Sequence, residues 1–356
     1  MKTYTHLYGE LCSSENLLSA FNKAKKGKSK KLYVWEFEKD LEANLSLLQK
    51  ELITETYLPQ PLRTFVLRDP KTRKIAVSSF RDRVVHHAIC NLWIPFYEKV
   101  FIFDSYANSK DKGTLRAIER FDQFKRKASR NGTLVSMAEN ANQVKGYLLK
   151  ADIRHYFENV DHKILLTLLQ KKIHDEKFLN LAAIILNNFR TKNLGRGMPL
   201  GNFTSQFFAN VYLNELDYFV KHQLRAKYYI RYVDDFVIFH QNKQVLKDFL
   251  EKIAIFLKEN LQLELHPQKC RIQPLKEGVD YLGYKIFYHY KLPRKRNLGK
   301  LINRLDSLTA GKEMLTEKKL LSLTAGWHGY LKYANTFFLW RKFLDKIRLL
   351  VQYHNL

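Results

Sequence analysis

The run from Tyr228 to His240, YYIRYVDDFVIFH, constrains this chain more than any other stretch. Aromatic and β-branched residues on either side of two aspartates read as strand, tight turn, strand. Asp234 and Asp235 fall at the turn, where a rigid hairpin aims carboxylates at a solvent-filled cleft. A solvated turn is the everyday use of such a pair. The charge balance weighs against it here: Lys and Arg number 61 against 35 Asp and Glu, a net charge of +26. An excess of that size calls for an anionic partner, and nucleic acid fits best. Paired carboxylates on a hairpin of so basic a chain suggest a magnesium site that works on nucleic acid.

With 356 residues, 46% hydrophobic and 13% aromatic, the chain can bury a large core and reads as two or three subdomains, not as a disordered basic tail. Membrane surface is the weaker alternative partner. No segment approaches ~18 consecutive apolar residues, and the first residues hold no apolar signal core. Cys12, Cys90 and Cys270 have no paired spacing and read as reduced, buried small hydrophobes in a cytoplasmic protein. No zinc site is visible.

The spacing predicts two helices over 13–56, the second being VWEFEKDLEANLSLLQKELITE with Leu41, Leu45, Leu48 and Leu52 on one face. A β-hairpin is expected over 62–78 around Asp69-Pro70-Lys71, then a helix over Phe80–Glu98. Residues 104–146 are polar and basic, with a surface loop around Asn131-Gly132. A buried strand over 147–157 ends near Asp152, and a helix over 161–174 follows. The glycine-rich loop LGRGMPLGN leads to a long helix over 204–224. After the hairpin come a helix over 243–260, a strand LQLELH, the turn HPQKC, a short β element VDYLGYKIFYH, the basic segment KLPRKRNLGKLINR and a helical tail. The fold class is α+β: a palm with helices before and after it.

If the strand ending at Asp152 neighbours the hairpin in one sheet, Asp152 and Asp234 face each other across a few ångströms. Two divalent ions ~3.5–4 Å apart would then fit between them, activating a 3′-hydroxyl and neutralising a triphosphate. Hard oxygen ligands and phosphate substrates select magnesium over zinc. The competing reading makes Asp152 a helix-start signal or a satisfied turn residue.

YVDD, LLKADIRHYFENVDHKIL and SQFFANVYLNELD resemble motifs of reverse transcriptases. So do FRDRVVHHAI (80–89) and HPQKC…DYLGY, and the resemblance runs from about Phe65 to Leu282. It implies a right-hand fold: an N-terminal helical extension (1–60), fingers with part of the palm (61–146), palm (147–284) and a basic helical thumb (285–356). It also implies two Mg2+ ions on Asp152, Asp234 and, less directly, Asp235, with the Ile153 carbonyl as a further ligand. Phe157 takes the place of a sugar gate, whose ring would collide with a ribose 2′-hydroxyl; a core aromatic is the competing role. Arg68 and Arg73 match triphosphate-binding positions, where Arg clamps phosphate bidentately; a solvated hairpin competes. Lys269 lies in a turn that carries a lysine near the leaving pyrophosphate, a general-acid position.

The loop before the long helix narrows the group. Most reverse transcriptases carry Gln-Gly there and end the motif in Ser-Pro. Here it reads Leu200-Gly201-Asn202-Phe203-Thr204-Ser205-Gln206, which resembles the signature of diversity-generating retroelements, with Leu200, Gly201 and Gln206 at substrate-contacting positions. FRDRVVHHAI, FDSYANSKDKGT and WHGYLKYANT resemble that group too. Leu200 has no polar group to constrain the pairing geometry, so discrimination should fall; simple packing is the other role for it. The resemblance implies copying of a template-repeat RNA, with flanking structured RNA, from dNTPs into cDNA with errors opposite adenine. It also implies a pentameric accessory variability protein and a bacterial, archaeal or phage-encoded source. Arg294, Lys295 and Arg296, inside a segment without acidic residues from Lys285 to Arg304, are expected to track a nucleic-acid backbone, or else to form a solvated loop. A retron or defence-associated reverse transcriptase is the nearest rival. A non-catalytic RNA-binding scaffold and an RNA-dependent RNA polymerase are weaker ones. No RNase H domain and no Cys/His nuclease spacing is expected.

Overall fold

The computed structural model describes residues 7–68, 72–134, 144–189, 191, 193–309 and 316–354. Helices α1 (Leu7–Leu11), α2 (Ser14–Lys25), α3 (Leu32–Lys39) and α4 (Leu41–Ile53) open it. Ser13 caps α2 by accepting the Asn16 N–H at 3.2 Å. The long second helix expected over 34–55 is instead broken at Asp40, which leaves helical geometry at φ −119°, ψ 47°. The Asp40 carbonyl then starts α4 by accepting the Asn44 N–H. Aspartate favours helix starts over interiors, which is why the break falls there.

Strands β1 (Arg63–Leu67) and β2 (Arg73–Val77) pair antiparallel, with Phe65 opposite Ile75. The expected turn at Asp69-Pro70-Lys71 lies outside the described residues. Helix α5 (Phe80–Glu98) matches its expected span, starting at the Ser79 cap and burying Val84, Val85, Ala88, Ile89 and Trp93. Within the expected polar stretch lies α6 (Thr114–Ala128), whose apolar stripe of Ala117, Ile118, Phe121 and Phe124 is buried. Strand β3 (Tyr147–Asp152) and the short helix α7 (Tyr156–Asn159) follow.

Next come α8 (His162–Gln170) and a further helix, α9 (Glu176–Asn187), which starts where Asp175 accepts the Phe178 N–H. The long helix is α-helical only over α10 (Phe203–Tyr218); one π-helical segment, Phe219–Gln223, continues it. Strands β4 (Tyr228–Tyr232) and β5 (Asp235–His240) form the aspartate hairpin, and α11 (Lys243–Leu261) follows. The expected strand LQLELH contributes only a single bridge, Leu265 to Ile153. Pro267 lacks the N–H a longer ladder needs, and the strand proper is β6 (Arg271–Pro274). An antiparallel meander of β7 (Val279–Tyr281), β8 (Tyr284–Ile286) and β9 (Lys291–Pro293) leads to α12 (Lys295–Thr309), α13 (Glu317–Leu331) and α14 (Phe337–His354).

The central sheet runs β4-β5-β3-β6, so the strand ending in Asp152 lies beside the strand that begins at Asp235. Two compact units are formed. One comprises Met1–Gly113, Lys150–Val237 and Lys247–Arg271, the other Thr114–Leu149, Ile238–Leu246 and Ile272–Leu356. In the second unit Leu301, Leu305, Leu308, Leu331, Phe343 and Leu350 from α12 to α14 make one apolar cluster. No helix among the described residues is long and apolar enough to cross a membrane.

In the first unit a buried carboxylate fixes the start of α5. Asp82 accepts from the Tyr57 hydroxyl at 2.8 Å, the Gln60 N–H at 2.9 Å and the Ser79 hydroxyl at 2.8 Å. Removing it leaves the buried Tyr57 hydroxyl without its acceptor. Asp82→Ala is expected to cost about 3 kcal/mol of stability, read by urea unfolding; unchanged stability would show that the network is dispensable.

Candidate active site

Alternation along β3 sets the site. Leu149 and Ala151 are buried, while Lys150 and Asp152 stand on the opposite face. In the β4–β5 hairpin the turn is Val233-Asp234, with Val233 at φ +57°. A β-branched residue pays a steric penalty in that left-handed region, so the surroundings must hold it there. The Ile153 N–H donates to the Asp234 carbonyl at 3.2 Å and ties the two carboxylate-bearing segments together. On the other flank the His266 N–H donates to the Asp152 carbonyl at 2.8 Å and the Arg154 N–H to the Glu264 carbonyl at 2.8 Å. Residues 264–270 therefore lie along Asp152. Lys269 Nζ comes to 2.7 Å from Asp152 Oδ1, and Cys270 Sγ to 3.9 Å from the Asp152 carbonyl. Lys150 Nζ stands 2.9 Å from Asp235 Oδ2.

The three carboxylates are thus not equivalent. Lysines face Asp152 and Asp235, whereas burial first, and then the charges of Asp152 and Asp235, push the Asp234 carboxyl up to about 6. Among the described residues no three His, Cys, Asp or Glu side chains converge into a ready metal cage. Magnesium is usually held by one or two carboxylates and completed by substrate oxygens and water. Asp152, Asp234 and the Ile153 carbonyl supply hard oxygen donors of that kind. The repulsion between Asp152 and Asp234 is the electrostatic demand a cation would meet.

The other residues singled out in the sequence have the following places. Phe157 is half-buried, edge-on to Tyr156 at 5.3 Å, and its carbonyl accepts the Met198 N–H at 2.7 Å. The Leu200 carbonyl accepts the Ala76 N–H at 2.9 Å, and Asn202 Oδ1 accepts the Ser78 N–H at 3.0 Å. Gly201 lies between them at φ +125°, where a Cβ would sit 2.8 Å from Val77 Cγ1. Only glycine fits so close to β2. Arg68 and Arg73 are exposed near the tip of the β1–β2 hairpin, and Gln206 is exposed on the first turns of α10. In the second unit, Lys295 and Arg296 are exposed at the start of α12, while Arg294 is half-buried with Nε 3.5 Å from Asp280. Lys150 was missed in the sequence. Its signal was its place two residues before Asp152 in a strand, and therefore on the same face.

The raised Asp234 pKa has a defined sign. In the unfolded chain the group titrates near ~4, so the folded chain holds the proton more tightly. The associated stability is present below ~4 and is lost as pH rises through about 6. Asp234→Asn removes the ionised form. With divalent ions chelated, the variant is expected to exceed the parent by about 2–3 kcal/mol at pH 8 and to match it at pH 4. Urea unfolding at both values checks this; a difference independent of pH would contradict it.

A family model described as reverse transcriptase (RNA-dependent DNA polymerase) matches residues 68–286, more than half of the chain. Protein YkfC of Escherichia coli K12 is 23% identical over 288 residues, covering 69% of this chain and 72% of that protein. The group II intron-encoded protein LtrA of Lactococcus lactis subsp. cremoris is 23% identical over 316 residues, covering 69% of this chain and 50% of LtrA. The putative COX1/OXI3 intron 2 protein of Saccharomyces cerevisiae is 22% identical over 309 residues, covering 68% of this chain and 34% of that protein. The chain therefore spans half or less of these two intron proteins. The match lies over β2, the β3 carboxylate, α10 and the aspartate hairpin, and the chain belongs to the reverse transcriptase family.

Proposed function

We propose that this chain is the polymerase of a diversity-generating retroelement, copying a template-repeat RNA into cDNA with errors opposite adenine. The observation that carries the polymerase chemistry is the like-charged pair Asp152 and Asp234, drawn together by the hydrogen bond from the Ile153 N–H to the Asp234 carbonyl. Asp152, Asp234 and the Ile153 carbonyl would hold Mg2+. When bound, the two ions supply activation of a primer 3′-hydroxyl and neutralisation of the triphosphate. Asp235, with Oδ2 2.9 Å from Lys150 Nζ, would be the less direct third carboxylate of the metal site. Lys269 Nζ, exposed on its turn, is placed to give a proton to the leaving pyrophosphate oxygen. Phe157 excludes the ribose 2′-hydroxyl. Arg68 and Arg73 grip the triphosphate from the hairpin tip.

Leu200 supports the error-prone part of the reading. Its carbonyl is committed to Ala76 and its side chain has no polar group, so it offers the base pair no directional constraint. A site that reads a pair only by shape discriminates weakly. The net charge of +26 suits a particle with structured RNA flanking the template, and Lys295 and Arg296 offer exposed charge to a backbone. A pentameric accessory protein completes the proposed assembly.

Primer extension on an adenine-containing RNA template with Mg2+, four dNTPs, accessory protein and cognate RNA tests the proposal. Synthesis is expected to fall by several orders of magnitude in Asp234→Ala. Product sequencing is expected to show errors concentrated opposite adenine, reduced several-fold by Leu200→Gln. Faithful copying by the parent, or no change in Leu200→Gln, would contradict the retroelement assignment. Phe157→Ala is expected to raise ribonucleotide incorporation at least about tenfold, read as the ratio of kcat/KM for matched deoxy- and ribonucleotides. An unchanged ratio would remove Phe157 from the gate.

A further inference from the structure

We propose that Arg231 and Asp217 are positioning residues that hold the Val233-Asp234 turn in the conformation that metal binding needs. The inference rests on the assignment of Asp234 as a metal-holding carboxylate and extends it to two buried residues, Arg231 of β4 and Asp217 of α10. Both side chains are fully buried, at 0% exposure. Arg231 Nε donates to Asp217 Oδ1 at 2.7 Å and Nη2 to Asp217 Oδ2 at 2.6 Å. The remaining nitrogen, Nη1, donates to the Val233 carbonyl at 3.0 Å and to Asn210 Oδ1 at 3.4 Å. The Tyr229 hydroxyl adds a third bond to Asp217, at 2.7 Å.

The main chain of Arg231 is fixed as well. Its N–H donates to the Asp104 carbonyl and its carbonyl accepts the Tyr106 N–H, each at 3.0 Å.

Stability alone does not account for this arrangement. A buried ion pair is often matched or exceeded by an apolar pair of similar volume. What the pair adds is the third arm of the fork. The Val233 carbonyl belongs to the peptide that joins Val233 to Asp234, so its orientation sets where the Asp234 side chain leaves the backbone. Val233 sits at φ +57°, a conformation a β-branched residue keeps only when its neighbours over-determine it. Asp217 locks the guanidinium plane through two bonds, and the plane then presents Nη1 to the strained peptide. A lysine ammonium lacks this rigid fork.

The test compares the parent, Arg231→Lys, Asp234→Ala and the combined variant Arg231→Met, Asp217→Leu, Tyr229→Phe, which replaces the pair by apolar side chains. Four quantities are read: thermal unfolding, primer–template Kd by fluorescence anisotropy, Mn2+ affinity by electron paramagnetic resonance, and kcat and KM for single-nucleotide incorporation. In both Arg231 variants, folded and with parental primer–template Kd, Mn2+ affinity is expected to fall at least about tenfold and kcat about 10–100-fold, the size of a small misplacement of a reacting group. A folded combined variant with parental Mn2+ affinity and kcat would overturn the proposal. If the combined variant does not fold, Arg231→Lys decides by the same criteria. Parental Mn2+ affinity and kcat in Asp234→Ala would overturn the carboxylate assignment itself, and the positioning role with it. A loss of Mn2+ affinity in Asp234→Ala but in neither Arg231 variant would overturn the positioning role alone.

Discussion

The site depends on one electrostatic constraint: two carboxylates of like charge are placed in each other's field by backbone hydrogen bonds that tie their segments together. The Ile153 N–H bonds the Asp234 carbonyl, and the His266 N–H bonds the Asp152 carbonyl. Burial first, and then the charges of Asp152 and Asp235, raise the Asp234 pKa. Such an arrangement is unfavourable in the free protein and would be relieved by a bound cation. The fold stores that demand at the hairpin turn, where Val233 is also strained.

The lysines divide the work of balancing charge. Lys269 on its exposed turn and Lys150 in the strand each meet one flanking aspartate. Their settings differ: Lys150 is held in the sheet, while Lys269 is exposed on its turn.

Much of this could be read in the residues. The hairpin, α5 and the strand ending at Asp152 carry strong local signals, and the structure places them near the expected bounds. What escaped has physical reasons. Helix α6 is so rich in charge that its stripe of Phe121 and Phe124 was outweighed by its polar face. Helix α9 is opened by an aspartate cap that reads equally well as a loop. The break at Asp40 interrupts an apolar pattern that continues across it, and periodicity alone does not see such breaks. At the site, the aspartates were legible because turn carboxylates stand out from β-branched surroundings. Lys150 and the Arg231–Asp217 pair were not, because their roles come from partners distant in sequence. The contacts of Gly201 with β2 were hidden for the same reason: a glycine signals freedom, and only the fold shows what approaches it.

The most direct measurement is anomalous scattering from Mn2+ in crystals of the protein with an RNA template, a DNA primer and a non-hydrolysable dNTP. Manganese is expected within ~2.3 Å of carboxylate oxygens of both Asp152 and Asp234, with Lys269 withdrawn from Asp152. Manganese absent from that pair, with Lys269 still seated on Asp152 while nucleotide is bound, would contradict that expectation.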